Sequence, residues 1–178
     1  MSEAPTELNP VGETTANEAL ASQATRELAA AFTSALAAGD AEQLSQLLAN
    51  HVVCRTPGRH IAAGVHHGRD RAMDALVSPA DERVRDICTE VTEIVVDARR
   101  AVVVIRTTGR LGDGVDAAPI DVEVALHLQT DGERILAITE YNDDQYVLDR
   151  VLRSAPTQVP EAPTRSDRRR RWWQRAGR

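Results

Sequence analysis

The sequence predicts an α+β fold, with helices packed on one face of a curved sheet. Two observations predict it. Apolar residues recur at helical spacing as far as Val77, and from Ile87 onward the period becomes strand-like. Short turn signals then separate the later segments, so successive strands run antiparallel and the helices are segregated from most of the sheet.

The elements follow in order. Leu28, Ala31, Phe32, Ala35 and Leu36 share one face of a helix expected over Asn17–Ala38, with Gly39 as its C-cap. Asp40 N-caps a short helix over 41–49 that turns Leu44, Leu47 and Leu48 inward. His51–Thr56 reads as a strand stopped by Pro57-Gly58, and 64–68 as a turn region. A third helix is expected over Arg69–Val77, ended by Ser78-Pro79.

Strands are then expected over Ile87–Val96 and Ala101–Thr108, joined by a tight turn at 97–100. A loop covers Gly109–Pro119. Ile120–Thr130 alternates, with Val122, Val124, Leu126 and Leu128 on one face and Asp121, Glu123, Ala125 and His127 on the other. Asp131-Gly132 is a hairpin signal leading into Arg134–Asn142, and 143–152 has room for a further helical turn.

Composition bounds the chemistry. With one Phe, two Tyr and two Trp in 178 residues, the core has to be aliphatic. All 21 basic residues are Arg, and they are unevenly placed. Residues 1–50 hold seven acids and one Arg, whereas 154–178 hold seven Arg and two acids. The expected organisation is therefore an acidic, disordered tail over 1–17, one domain over 18–152, and a Pro-containing linker with an Arg/Trp-rich tail over 153–178.

Cys54 and Cys88 belong to no CxxC pair, which argues against a zinc or redox motif and fits reduced thiols in a cytoplasmic protein. No secretory leader and no membrane span is read from the sequence. His66 and His67 are adjacent on an expected loop, without HxH or HExxH spacing, so no metal site is expected.

Three stretches in register resemble one family: ALAAGDAEQLSQLLANHVV, PGRHIAAGVHHGRDRAMDAL and DGERILAITEYND. The chain resembles the SnoaL-like branch of the nuclear transport factor 2-like superfamily, which shares the ketosteroid isomerase-like fold. The resemblance implies a cone-shaped curved antiparallel sheet, with three helices from the N-terminal half packed on its concave face around a deep pocket. It also implies that the outer sheet face often forms a homodimer, which would place Glu123, Ala125, His127 and Tyr141 there.

Fold alone does not choose among the family's isomerases, cyclases, epoxide hydrolases and non-catalytic binders. Carried over residue by residue, the polar groups of the steroid isomerases fall on Phe32, Thr56 and, approximately, Val124, none of which does that chemistry in its usual form. The epoxide hydrolase arrangement is not matched either, since Thr108 follows Arg106 where an acid is needed.

Strand parity then nominates the pocket. Val52, Cys54 and Thr56 share one face, and Leu136, Ile138, Glu140 and Asn142 share another. With Phe32 and Val124 these make the expected ligand pocket, and Glu140 is the candidate general acid or base, because a carboxylate among aliphatic side chains is costly to ionise. Arg106, if buried, would need a carboxylate such as Glu123 or Glu140.

The function expected first is binding of a small apolar molecule by a non-catalytic accessory protein, without a cofactor. One alternative is a cofactor-independent isomerase or polyketide-type cyclase using Glu140. Another is a dimeric scaffold tethered through its tail, where Arg168, Arg169, Arg170, Arg171, Trp172 and Trp173 would meet an anionic membrane, a nucleic acid or a protein partner.

Overall fold

The computed structural model describes residues 10–77 and 82–152. It runs α1 (Pro10–Ala38), α2 (Ala41–Leu47), β1 (Leu48–Thr56), β2 (Gly64–His67), α3 (Arg69–Leu76), β3 (Val84–Asp97), β4 (Arg100–Leu111), β5 (Ala118–Thr130), β6 (Ile135–Asn142) and α4 (Gln145–Val151). The six strands form one sheet in the order β2-β1-β6-β5-β4-β3. The fold is α+β, an open curved sheet with helices against it, as the pattern predicts.

Local chemistry accounts for the boundaries. Asp40 caps α2, its carboxylate accepting from the Gln43 backbone N–H at 2.9 Å. Asp144 does the same for α4 through the Val147 N–H at 3.0 Å. In the β5–β6 turn the Asp131 carboxylate accepts from the backbone of Glu133 and Arg134, and Gly132 takes the positive φ.

The main core lies between α1–α3 and the inner sheet face. Phe32, Leu44, Leu48, Val52, Val103, Leu128, Ile135 and Ile138 are all but inaccessible there. A smaller cluster of Leu111, Ile120, Val122, Leu148 and Val151 seats α4 at the far end of β4 and β5. The alternation expected for β5 is present: Val122, Leu126 and Leu128 are buried, and Asp121 and Glu123 are exposed.

Four features differ from the sequence expectation. The first helix begins at Pro10, well ahead of Asn17, with proline at a position where its missing N–H costs nothing; residues 1–9 lie outside the described residues. The expected turn at 64–68 contains a strand, β2, which pairs antiparallel with β1 from Val53↔His67 to Thr56↔Gly64. The sheet is mixed, because β1 pairs parallel with β6. A pairing between strands so distant in sequence leaves no turn signature to read.

The fourth difference concerns Leu136. Gln129 pairs with Ala137 and Thr130 with Ile135, so β6 carries an extra residue at this point. The bulge reverses parity: Ile135 becomes fully buried against Leu48, while Leu136 is only half-buried. Ile138, beyond the bulge, keeps its inward direction.

Leu128 is fully buried at the centre of this core. Leu128→Ala is expected to cost about 3 kcal/mol of unfolding free energy, read as a lower denaturation midpoint with an unchanged m-value.

Candidate functional site

Between α1, α3 and the inner sheet face lies a cavity of about 330 Å³. Leu36 and Ala37 come from the end of α1, Ala75 and Leu76 from α3, Thr56 from β1, and Ala62 from the β1–β2 loop. The sheet adds Thr89, Ile105, Thr107, Val124, Leu126 and Glu140, and Leu152 closes one side. Two larger depressions, by Asp97–Arg100 and at the start of α3, are more open, and each is lined by one or two short surface segments. The 330 Å³ cavity alone among the three gathers convergent side chains from most of the fold, which is the form of a small-molecule site.

Pairing places its polar group. Cys54 lies opposite Ile138 and Arg55 opposite Thr139 in the parallel register, so the next step along both strands sets Thr56 beside Glu140. From the other side Leu126 is the antiparallel partner of Glu140. The Asn142 amide donates to Glu140 Oε1 at 3.0 Å, and Cys54 Sγ lies 3.8 Å from Thr56 Oγ1. Cys54, Thr56, Glu140 and Asn142 thus form one polar strip beside a wall of aliphatic groups and the Thr89 and Thr107 hydroxyls.

Burial pushes the Glu140 carboxyl above the ordinary range, and the Asn142 amide and Thr56 hydroxyl draw it part of the way back. The Cys54 thiol is pushed up by burial first; Thr56 opposes this and the Glu140 charge adds to it. Cys54 is therefore a neutral thiol at neutral pH.

The other expected pocket residues divide. Thr56 and Val124 line the cavity. Phe32, Val52, Cys54 and Ile138 are buried in the packed core, and Asn142 reaches the site through Glu140. Leu136 is carried out of line by the bulge. Arg106 is exposed rather than buried, and its guanidinium grips Asp121 in a two-pronged pair at 2.8 and 2.7 Å, not Glu123 or Glu140. Tyr141 faces away from Glu140 and is 59% exposed, and His127 is half-buried on the outward face of β5. The tail residues Arg168–Arg171, Trp172 and Trp173 lie outside the described residues. Among the described residues, no group of three or more His, Cys, Asp or Glu side chains is arranged to hold a metal, and no helix is long and apolar enough to cross a membrane.

Sequence reasoning passed over His60. It sits in the β1–β2 loop only 2% exposed, and beyond a weak contact with the Pro57 carbonyl neither ring nitrogen has a hydrogen-bond partner among the described residues. Burial lowers its pKa, with the Asp149 charge opposing. The same loop is held to α4 where the Arg59 backbone N–H donates to Asp149 at 2.9 Å. A histidine four residues beyond a strand end carries no pattern that marks it as buried.

Residues 29–138 match the SnoaL-like domain family. This chain belongs to that family. Solved structures agree on the fold. An NTF2-like protein from Burkholderia xenovorans LB400 is 21% identical, with TM-score 0.57, over 74% of this chain and 97% of its own. Bal32a, from a soil-derived mobile gene cassette, is 21% identical with TM-score 0.61, over 75% of this chain and 99% of its own. An NTF2-like protein of unknown function from Burkholderia pseudomallei K96243 is 14% identical with TM-score 0.59, over 72% of this chain and 97% of its own. No curated protein matches the sequence at a significant level.

The raised Glu140 pKa has a signed consequence for this SnoaL-like protein. Below the unfolded carboxyl's pKa both states hold the proton and Glu140 has no effect. As pH rises through the window between the unfolded and the raised folded value, the native state comes to bear an unfavourable charge. Glu140→Gln keeps the oxygen that accepts from Asn142. Its melting temperature is expected to exceed that of the wild type above neutrality, with the gap closing as pH falls below the ordinary carboxyl value of 4.5. Thermal melts of both proteins across pH check this, and a gap that widens on acidification would contradict it.

Proposed function

We propose that this protein binds a small, predominantly apolar molecule in the 330 Å³ cavity, with Glu140 as its single ionisable contact. The observation that carries the reading is the lining itself: aliphatic and hydroxyl side chains surround one half-buried carboxylate. Exposed apolar residues adjoin the lining. Ile61 is next to Ala62 and Val77 next to Leu76, while Ile87 and Val91 flank Thr89 along β3; each is 41–47% exposed. Such a rim suits the approach of an apolar ligand.

Native mass spectrometry of the purified full chain is expected to show a retained small molecule, absent from the denatured mass. Ala75→Phe, which fills the cavity from α3, is expected to lose it while keeping the native fold. A wild-type chain that binds no apolar molecule, even when one is offered, would end this reading.

A second reading, cofactor-independent isomerisation or ring closure, is favoured by the elevated Glu140 pKa. Glu140 would take a proton from carbon next to a substrate carbonyl, and the Thr56 hydroxyl or Asn142 amide would donate to the enolate oxygen. On a carbonyl compound recovered from the pocket, Glu140→Gln would then lower turnover about 100-fold or more. Unchanged turnover would leave binding alone.

We also propose that the outward sheet face, where Ala125, His127 and Tyr141 lie together, self-associates. Light scattering should then give twice the mass of a single chain, falling towards one for Tyr141→Arg.

A further inference from the structure

We propose that the ligand is an apolar amine bound as its ammonium ion, with the charged nitrogen seated on the Glu140 carboxylate. This deepens the small-molecule reading of the cavity and rests on it. The inference comes from balancing the charges and hydrogen bonds around Glu140.

Two neutral donors serve the carboxylate. Asn142 Nδ2 reaches Oε1 at 3.0 Å, and Thr56 stands beside it on β1. Among the described residues no cation does. The ion pairs Arg85–Asp113 and Arg106–Asp121 both lie at the surface, and no basic side chain among the described residues lines the cavity or contributes to the field on Glu140. α1 and α3 present only aliphatic groups, β3 and β4 present Thr89, Ile105 and Thr107, and β5 presents Val124 and Leu126. Among the described residues the one titratable group coupled to it is the Cys54 thiol, which is neutral. The charge that the described lining presents to the cavity is therefore that of Glu140 alone.

That field discriminates among ligand head groups. A carboxylate or phosphate would enter with no partner for its charge and with a like charge facing it. An alcohol would supply one neutral hydrogen bond. An ammonium group supplies the missing cation together with N–H donors, and a charge-assisted contact in a desolvated site is stronger than a neutral one. The scarcity of aromatic side chains in the chain leaves the carboxylate, not a ring cage, as the group that selects the cation. The cavity is at the small end for ligand sites, which limits the apolar body to a short chain or a single ring system.

The test uses hexylammonium, 1-hexanol and hexanoate with the full chain, their affinities measured by calorimetry near neutral pH. Hexylammonium is expected to bind at least about tenfold more tightly than 1-hexanol, and hexanoate more weakly than both. Glu140→Gln is expected to bring hexylammonium down to the level of 1-hexanol, with a cooperative thermal melt showing that the variant is folded. Acidification through the titration of Glu140 is expected to weaken hexylammonium alone, because binding then has to displace a proton.

Equal binding of the amine and the alcohol, or tighter binding of hexanoate, would overturn the proposal while the cavity stands as a ligand site. A preference for the amine that survives in Glu140→Gln would also overturn it, assigning the preference to the chain's net charge of −6. Failure of all three probes to bind would remove the ligand-site reading and this proposal with it.

Discussion

The parallel contact between β1 and β6 is the constraint on which the site depends. It joins strands separated by most of the domain and brings Cys54 alongside Ile138, so that Thr56 falls beside Glu140. Without that pairing the inner face would still be apolar, but its polar side chains would be scattered. The register is fixed at both ends of the contact. Leu48 meets Ile135 in the core, and between that pair and Val53↔Ala137 the β1 strand advances five residues against two on β6, so the register steps on β1 before the regular pairs begin. A one-residue slip would turn Glu140 outward and bring Tyr141 into the core, exchanging a half-buried carboxylate for a phenol where aliphatic groups pack.

Energetically the site is a local cost borne by the surrounding packing. Core residues from Phe32 to Ile138 are buried to completion, and the cluster beneath α4 fixes the far end of the sheet. That packing holds a carboxylate where its charged form is disfavoured. The contrast with Arg106 is informative. Arg106 also lies on a strand, yet it faces solvent and satisfies itself on Asp121. Exposed, such a pair contributes little to stability. Glu140 faces inward with only neutral donors, and its free capacity is directed at whatever enters the cavity.

His60 presents a comparable cost in a different place. Its ring is buried with no hydrogen-bond partner among the described residues beyond a weak contact with the Pro57 carbonyl, in the loop clasped to α4 by Asp149. Gly58 in the same loop holds a positive φ, and a Cβ there would meet Gln145 and Asp149. The loop between β1 and β2 is thus tightly fitted under α4, and it carries Ala62 to the cavity wall.

What the sequence determined by itself was the class of structure and the chemistry available to the site. Apolar periodicity set the helices and strands because each must bury one face, and it placed Glu140 on the inward side through its i−2 relation to Ile138. Composition determined that the core would be aliphatic. The tertiary structure alone decided the parallel β1–β6 pairing, the edge strand β2 and the exchange of Leu136 for Ile135, since these depend on contacts between distant segments. It also decided that Phe32, Val52 and Ile138 fill the core while Thr56 and Val124 reach the cavity. Periodicity reports which side of an element is apolar; whether that side meets another side chain or an open space depends on the elements that close over it.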